Sequence, residues 1–548
     1  MKELTFVSDF FLEDGVLGGA ELYNHNLLQE LKTKYNITRV KSHLVDGNLL
    51  NNRKNSTFIV SNFMNLPGPM KEILKLLDYI ILEHDHKYVA TNDPSKFVNM
   101  IAPRSQVINQ EFFHKARAVF CQSKIHAEVL QKNLLLDRVV NLSCNLWSDE
   151  QLELLKTFTN SEKKTEYAYL QSGNRNKGMP AAVKFCKDNQ ISAHPIPNLP
   201  QEQFFKQLSG VEKLIFFPQW LESFNRLVVE AKILGCKIVT NKLLGVASEK
   251  WFRETKAEDL IATLREKRDG VLGVITTFIE GNETKDLFID PIKVPKITII
   301  TSLYKASAYI ENFMKNITSQ TVFDKCELLI LDANSPDGEY ESCIKYYEDK
   351  FSNIKYTKLP TRVGVQETMN LGIEMSTGEI LTIANVDDLR LPTQLEEMSK
   401  LLAVDEDCDL VYSDCYEVDQ IVSDVSNFRS KRMYEHSRLE FSKENMIKCL
   451  PGPMPMWRKS IHKDLGNFDT TLKYAADWDM WLRAVRSGCK FKKFEKALGL
   501  YYNNPKGLST SQSNSRERFE EERLIFNRNK DIFGKSVTQT FEGYFNGS

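Results

Sequence analysis

The chain is 548 residues long, 42% hydrophobic and 26% charged, with a formal net charge of -1. That length implies roughly three domains, and the near-zero charge leaves no global field to draw nucleic acid or an anionic membrane. Apolar runs such as Tyr79-Ile80-Ile81-Leu82 fall far short of the ~20 residues a membrane span needs, and Met1-Lys2-Glu3 leads into a strand with no apolar signal segment.

The ten cysteines form no CxxC pair and the nine histidines no HExxH spacing, which speaks against a zinc site or a secreted disulfide framework. A reduced, cytoplasmic protein is expected, at most peripherally associated with the inner face of a membrane.

Leu4-Thr-Phe-Val-Ser8 predicts a first strand. Asp14-Gly-Val-Leu-Gly18-Gly19-Ala20-Glu21 follows, then a helix with Ala20, Tyr23, Leu27, Leu31 and Tyr35 along one face. A glycine pair there lets backbone amides approach an anion at the helix N-terminus, or simply makes a tight turn. Further apolar runs at Phe58-Ile-Val60, Tyr79-Ile-Ile-Leu82 and Ala118-Val-Phe-Cys121, with helical patterns between them, predict a parallel sheet covered on both faces. Glu83-His84-Asp85-His86 lies where an open sheet has its ligand crevice. Asp85 or His86 reads equally as a substrate contact or as a satisfied loop residue.

A second strand series begins near Glu166 with Tyr167-Ala-Tyr-Leu170. Gly173-Asn-Arg175-Asn-Lys177-Gly178 sets two cations among glycines, suited to a diphosphate or to a basic surface turn. After the strand Leu214-Ile-Phe-Phe217, a helix beginning near Phe224 puts Glu222 at its positive mouth and Glu230 about two turns in, on the face of Arg226.

Glu222, seven intervening residues, Glu230-Ala, then a glycine and a strand resemble the donor half of family 4 glycosyltransferases, which have the GT-B fold. The Gly173–Gly178 stretch and Gly18-Gly19-x-Glu21 stand in the order of that family. The resemblance implies two Rossmann-like halves, residues 1–160 on the acceptor side and 161–287 on the donor side. It implies a nucleotide-sugar donor held by Gly18, Gly19, Arg175 and Lys177, Glu222 as the catalytic carboxylate at the transferred sugar, and Glu230 at the ribose. Such enzymes retain anomeric configuration without a metal. Asn225 stands where the family often has glycine.

Residues 288–296 carry Pro291 and Pro295, which discourage helix and ladder alike, and predict a linker. Ile297-Thr-Ile-Ile-Thr301 opens a new strand, with Tyr304 just beyond it. Glu327-Leu-Leu-Ile-Leu-Asp332 runs into a turn, where Asp332 is a turn former or a base and ribose acceptor. Glu379-Ile-Leu-Thr-Ile-Ala384 predicts a buried strand ending in Asn385-Val-Asp387-Asp388. Two carboxylates at a strand tip suit Mg2+ or Mn2+, or are a solvated turn. Farther on, Asp477 shares a helix face with Met480 and Trp481, so it reads as a partly buried general base or as a helix cap, while Asp479 reads as structural.

This order resembles family 2 glycosyltransferases, of the GT-A fold, over roughly residues 295–510. The resemblance implies one Rossmann-like nucleotide-sugar domain over 297–548, with Thr301, Tyr304, Asp332 and Asp387 around the nucleotide and Asp388 with Asp387 at the metal. Asp477 is then the base of an inverting reaction, and Asn504 replaces a histidine that can join the metal site. Arg516 to Lys530 predicts a docking helix.

The expected fold class is therefore α/β, GT-B followed by GT-A. The expected function is a bifunctional glycosyltransferase using UDP- or GDP-linked donors and a glycan or lipid-linked glycan acceptor, with Mn2+ or Mg2+ in the second module and no organic cofactor. Rival readings are a single active GT-A enzyme with a GT-B module that binds acceptor, a nucleotide-sugar scaffold, and a nucleotidyltransferase. The last should carry a glycine-rich basic loop after its first strand, which Thr301-Ser-Leu-Tyr304 lacks.

Overall fold

The computed structural model describes residues 1–15, 18–430 and 432–546, so Val16 and Leu17 of the glycine loop lie outside the described residues. The chain forms two compact units, Met1–Pro291 and Ile292–Ser548.

The first unit contains two parallel sheets. β1 (Lys2–Ser8), β2 (Tyr35–Lys41), β3 (Thr57–Val60), β4 (Tyr79–Leu82), β5 (Val119–Cys121) and β6 (Val139–Asn141) stand in the order β2-β1-β3-β4-β5-β6. β7 (Thr165–Leu170), β8 (Ala193–Ile196), β9 (Val211–Phe216) and β10 (Lys237–Thr240) stand in the order β10-β9-β7-β8. Each half is Rossmann-like. Parallel strands need crossovers that cover both faces, which is why Phe58-Ile-Val60 and Tyr79-Ile-Ile-Leu82 are buried along their whole length. Strand order reverses between β1 and β3 in one sheet and between β7 and β9 in the other. Open α/β sheets form their ligand crevices at such points.

The helices that position the site are α1 (Gly19–Leu31), α2 (Lys124–Leu134), α3 (Arg226–Ile233) and α4 (Leu260–Glu280). The helical spacing through Tyr35 misleads: α1 ends at Leu31, and Tyr35 opens β2, where it is buried. α4 returns to the first sheet, with Phe278 edge-on to Phe120 at 5.0 Å and Tyr35 Oη donating to Glu280 at 2.7 Å.

The second unit is built on one mixed sheet, ordered β13-β12-β11-β14-β17-β16-β18-β15. Its strands are β11 (Ile297–Leu303), β12 (Cys326–Asp332), β13 (Ile354–Lys358), β14 (Ile380–Ile383), β15 (Leu389–Arg390), β16 (Leu410–Val418), β17 (Met456–Arg458) and β18 (Phe491–Tyr502). The first four pair in parallel, and β17 runs antiparallel between β14 and β16. Helices α5 (Val365–Met375), α6 (Ala476–Arg486), α7 (Ser515–Asn529) and α8 (Lys535–Asn546) complete the elements used below. α7 is the expected docking helix, and it docks on its own unit. Ile525 and Phe526 are buried in one cluster with Trp457, Trp478, Trp481 and Phe545. Among the described residues no helix is long and apolar enough to cross a membrane.

Candidate functional site

In the second unit the chain leaves β14 and turns through Asn385-Val-Asp-Asp388 into β15, and the two aspartates take different roles. Asp388 is 6% exposed; its Oδ2 accepts from Asn385 Nδ2 at 3.0 Å and its Oδ1 from Tyr502 N at 3.0 Å. Burial, with the Asp387 charge beside it, pushes the Asp388 carboxyl far above the ordinary carboxylate range. Asp387 is half-buried, and its Oδ2 accepts from Asn504 Nδ2 at 2.9 Å. Asn504 Nδ2 also reaches Tyr309 Oη at 3.3 Å, while Asn504 Oδ1 accepts from Lys506 N at 3.0 Å. Of the expected metal pair, Asp387 is the outward carboxylate and Asp388 its buried support.

Among the described residues no three or more acidic, histidine or cysteine side chains converge on a cation. Magnesium-type sites commonly take one or two carboxylates from the protein and the rest from phosphate and water. The hard-oxygen donors and the two adjacent carboxylates fit such an ion.

The nucleotide residues are placed unevenly. Tyr304 lies just past β11 with the Arg362 guanidinium 4.4 Å over its ring, a partner that no periodicity marks. Asp332 is 2% exposed, accepting from Ser335 N at 2.5 Å and from Tyr356 Oη, so it forms the turn. Thr301 is fully buried with its hydroxyl enclosed, whereas Ser302 is half-buried.

Asp477 sits in the first turn of α6. The cap position belongs to Ala475, which makes no side-chain cap, so Asp477 is not the N-cap. Its Oδ1 accepts from Trp478 N at 2.8 Å and its Oδ2 from Cys449 Sγ at 3.5 Å. Burial pushes its carboxyl up, the direction a general base needs. Asp479 is bound to Arg483 at 2.8 Å and is structural. Two tyrosines link the regions. Tyr501 feels the charges of Asp388 and Asp387, Tyr434 feels that of Asp477, and their rings lie 4.8 Å apart.

In the first unit the predicted residues gather at the reversals of strand order. Lys177, after β7, donates to Glu222, after β9, at 2.9 Å, and Asn225 Nδ2 donates to the other oxygen of Glu222 at 3.1 Å. Gly178 has φ +75°, and a Cβ there would lie 1.6 Å from the Phe217 carbonyl oxygen, so only glycine lets this loop close on the end of β9. Asn225 keeps a φ of +86°, the bend that favours glycine, and caps α3 by accepting from Val228 N at 3.1 Å. Arg175 is exposed at the start of the same loop.

Gly18 is the N-cap of α1 and Gly19 its first residue, with the Glu21 carboxylate folded back against Gly18. Loop 221–223 meets the first sheet of this unit, where His86 Nε2 donates to Leu221 O at 3.0 Å and Ser123 Oγ to Ser223 O at 2.6 Å. His86 is buried, and burial pushes its pKa down, whereas the Asp85 side chain is 62% exposed. Glu230 is buried at the contact between the two halves of the first unit. It is 8% exposed, with Trp147 Nε1 donating to it at 2.9 Å and Arg226 3.6 Å away.

Comparison with known proteins places a family match in the second unit. Residues 298–466 match the model of Glycosyl transferase family 2. An uncharacterized glycosyltransferase of Methanocaldococcus jannaschii is 26% identical over 209 residues, covering 38% of this chain and 70% of that protein. A PGL/p-HBAD biosynthesis glycosyltransferase of Mycobacterium bovis is 23% identical over 218 residues, covering 40% and 80%. Among solved structures, a mannosyltransferase from Pyrobaculum calidifontis in complex with GDP-Man and Mn2+ aligns with a TM-score of 0.36 and 20% identity, over 47% of this chain and 71% of that one. The second unit thus resembles family 2 glycosyltransferases over residues 298–466, and the relatives named are themselves glycosyltransferases.

Proposed function

We propose that the two units are successive glycosyltransferases acting on one growing glycan, a surface polysaccharide or a lipid-linked precursor. The division between an outward Asp387 and a buried, pinned Asp388 carries the reading of the second unit. Asp387, backed by Asp388 and flanked by Asn504, would hold Mn2+ or Mg2+. That ion, when bound, neutralises the departing diphosphate. Asp477 takes the proton from the acceptor hydroxyl as that oxygen attacks the anomeric carbon, with inversion. Tyr304 and Arg362 form a stacked surface for the nucleotide.

The first unit is read as a metal-independent, retaining transferase of the family 4 kind. Lys177, now paired with Glu222, would turn to the donor diphosphate together with Arg175, which frees Glu222 for the sugar. A second reading is favoured by the enclosure of Glu230 between Trp147 and Arg226: this unit binds acceptor without catalysis. Glu222→Ala distinguishes them. The two-enzyme reading expects one of two sugar additions to stop, and it fails if both proceed at full rate.

A further inference from the structure

Neither Asp477 nor the helices after it fall within the segment matched by the family model, which ends at residue 466. Yet α6 is not capped from within. Ala475 supplies no side-chain acceptor, and the amides leading into the helix point to a carboxylate from α7 instead. Glu521 accepts from Lys473 N at 2.6 Å, from Tyr474 N at 2.7 Å and from Ala475 N at 2.6 Å. A carboxylate gathering three consecutive amides at a helix mouth makes charge-assisted bonds and sits at the positive helix end. Glu521 is fixed in turn, because Ile525 and Phe526 anchor α7 in the tryptophan cluster. Glu517, one turn earlier on α7, accepts from Tyr474 Oη.

We propose that Glu521 is a positioning residue for the second unit: by clamping residues 473–475 it fixes the first turn of α6 and aims the Asp477 carboxyl, which makes the C-terminal helices part of the catalytic apparatus. The proposal rests on the reading of Asp477 as the general base. The groups facing Asp477 are Cys449 and Tyr434 from the 430–450 segment, and Glu521 and Glu522 from α7. Burial is the main reason its carboxyl is raised, and the Glu521 charge works in the same direction.

The test compares Glu521→Gln with Glu517→Gln in the full chain. The Asp477 carboxyl is titrated by NMR with aspartate carboxyl labelling and assigned by its loss in Asp477→Asn, which requires no turnover. Its midpoint should move to lower pH in Glu521→Gln and stay in place in Glu517→Gln. With Mn2+ and whichever of UDP-glucose, UDP-N-acetylglucosamine or GDP-mannose is hydrolysed fastest, Glu521→Gln should lower kcat on the order of 10- to 100-fold, as small misplacements of a catalytic group do. Donor KM should stay within about twofold, because no donor contact is touched. An unmoved Asp477 midpoint overturns the proposal, as does an equal loss of kcat in Glu517→Gln. Full activity in Asp477→Asn overturns only the general-base reading.

Discussion

The two candidate sites handle charge in opposite ways. In the first unit Lys177 and Glu222 form an ion pair at 2.9 Å. In the second unit Asp387 and Asp388 stand side by side with no lysine or arginine bonded to either carboxylate among the described contacts, and burial, with the Asp387 charge beside it, pushes the Asp388 carboxyl up. On the proposed reading, the two sites would differ in metal requirement through which residue faces the acid.

Breaking the acidic side of the comparison has the largest expected effect. Asp387→Ala should lower Mn2+-stimulated donor turnover by at least about 100-fold, the scale of losing a principal stabiliser of developing charge. Asp388→Asn should cost less, about 10- to 100-fold, since it supports the site from behind. Equal losses in steady-state assays would undo the distinction between them. On the paired side, Lys177→Ala should weaken donor binding by the first unit by about 10- to 100-fold, the value of a hydrogen bond to a charged group. The unfolding free energy should change by less than about 1 kcal/mol, because the pair is partly exposed. Calorimetry with nucleotide-sugars and a denaturant melt separate these two outcomes.

Proton competition sharpens the contrast further. A protonated carboxyl cannot bind a cation, so Mn2+ affinity at Asp387 and Asp388 should tighten as pH rises toward about 8, with proton release measurable in buffers of different ionisation heat. Activity of the first unit should show no Mn2+ dependence across the same range.

Stability, rather than activity, depends on a carboxylate shifted the other way. Burial pushes the Glu327 carboxyl up, but bonds from Lys355 at 2.7 Å, Thr377 N at 2.9 Å and Thr298 Oγ1 at 2.8 Å outweigh it and hold it at about 2. With the folded value below the ordinary glutamate value of 4.5, its stabilisation is present above about 4.5 and is lost as pH falls toward 2. Glu327→Gln should cost about 1.5–3 kcal/mol at neutral pH and flatten acid unfolding in that window. An unchanged acid transition would refute this.

Continuous apolar runs made the parallel strands readable, because strands buried on both faces need no alternation. β16 and β18 were not readable, since Leu410 pairs with Phe491 and no local pattern announces so distant a partner. Helical spacing also ran past its true end, because Tyr35 is apolar and in phase yet belongs to β2. The sites followed the same rule. Position after a strand picked out Asp387 and Asp388, but their separate roles depend on the Tyr502 amide and on Asn504, both more than a hundred residues on. The spacing of Glu222 and Glu230 was visible, whereas the Trp147 indole that encloses Glu230 was not.

That indole has an optical consequence. Trp147 is buried to 1% exposure, lies 4.3 Å beneath the Arg226 guanidinium and is hydrogen-bonded to Glu230, so it touches both sheets' halves of the first unit at once. Any separation of those halves must uncover the ring and remove a cation from its face. Its fluorescence is therefore a built-in gauge of opening and closing, readable without a label in a chain whose other tryptophans have been replaced by phenylalanine.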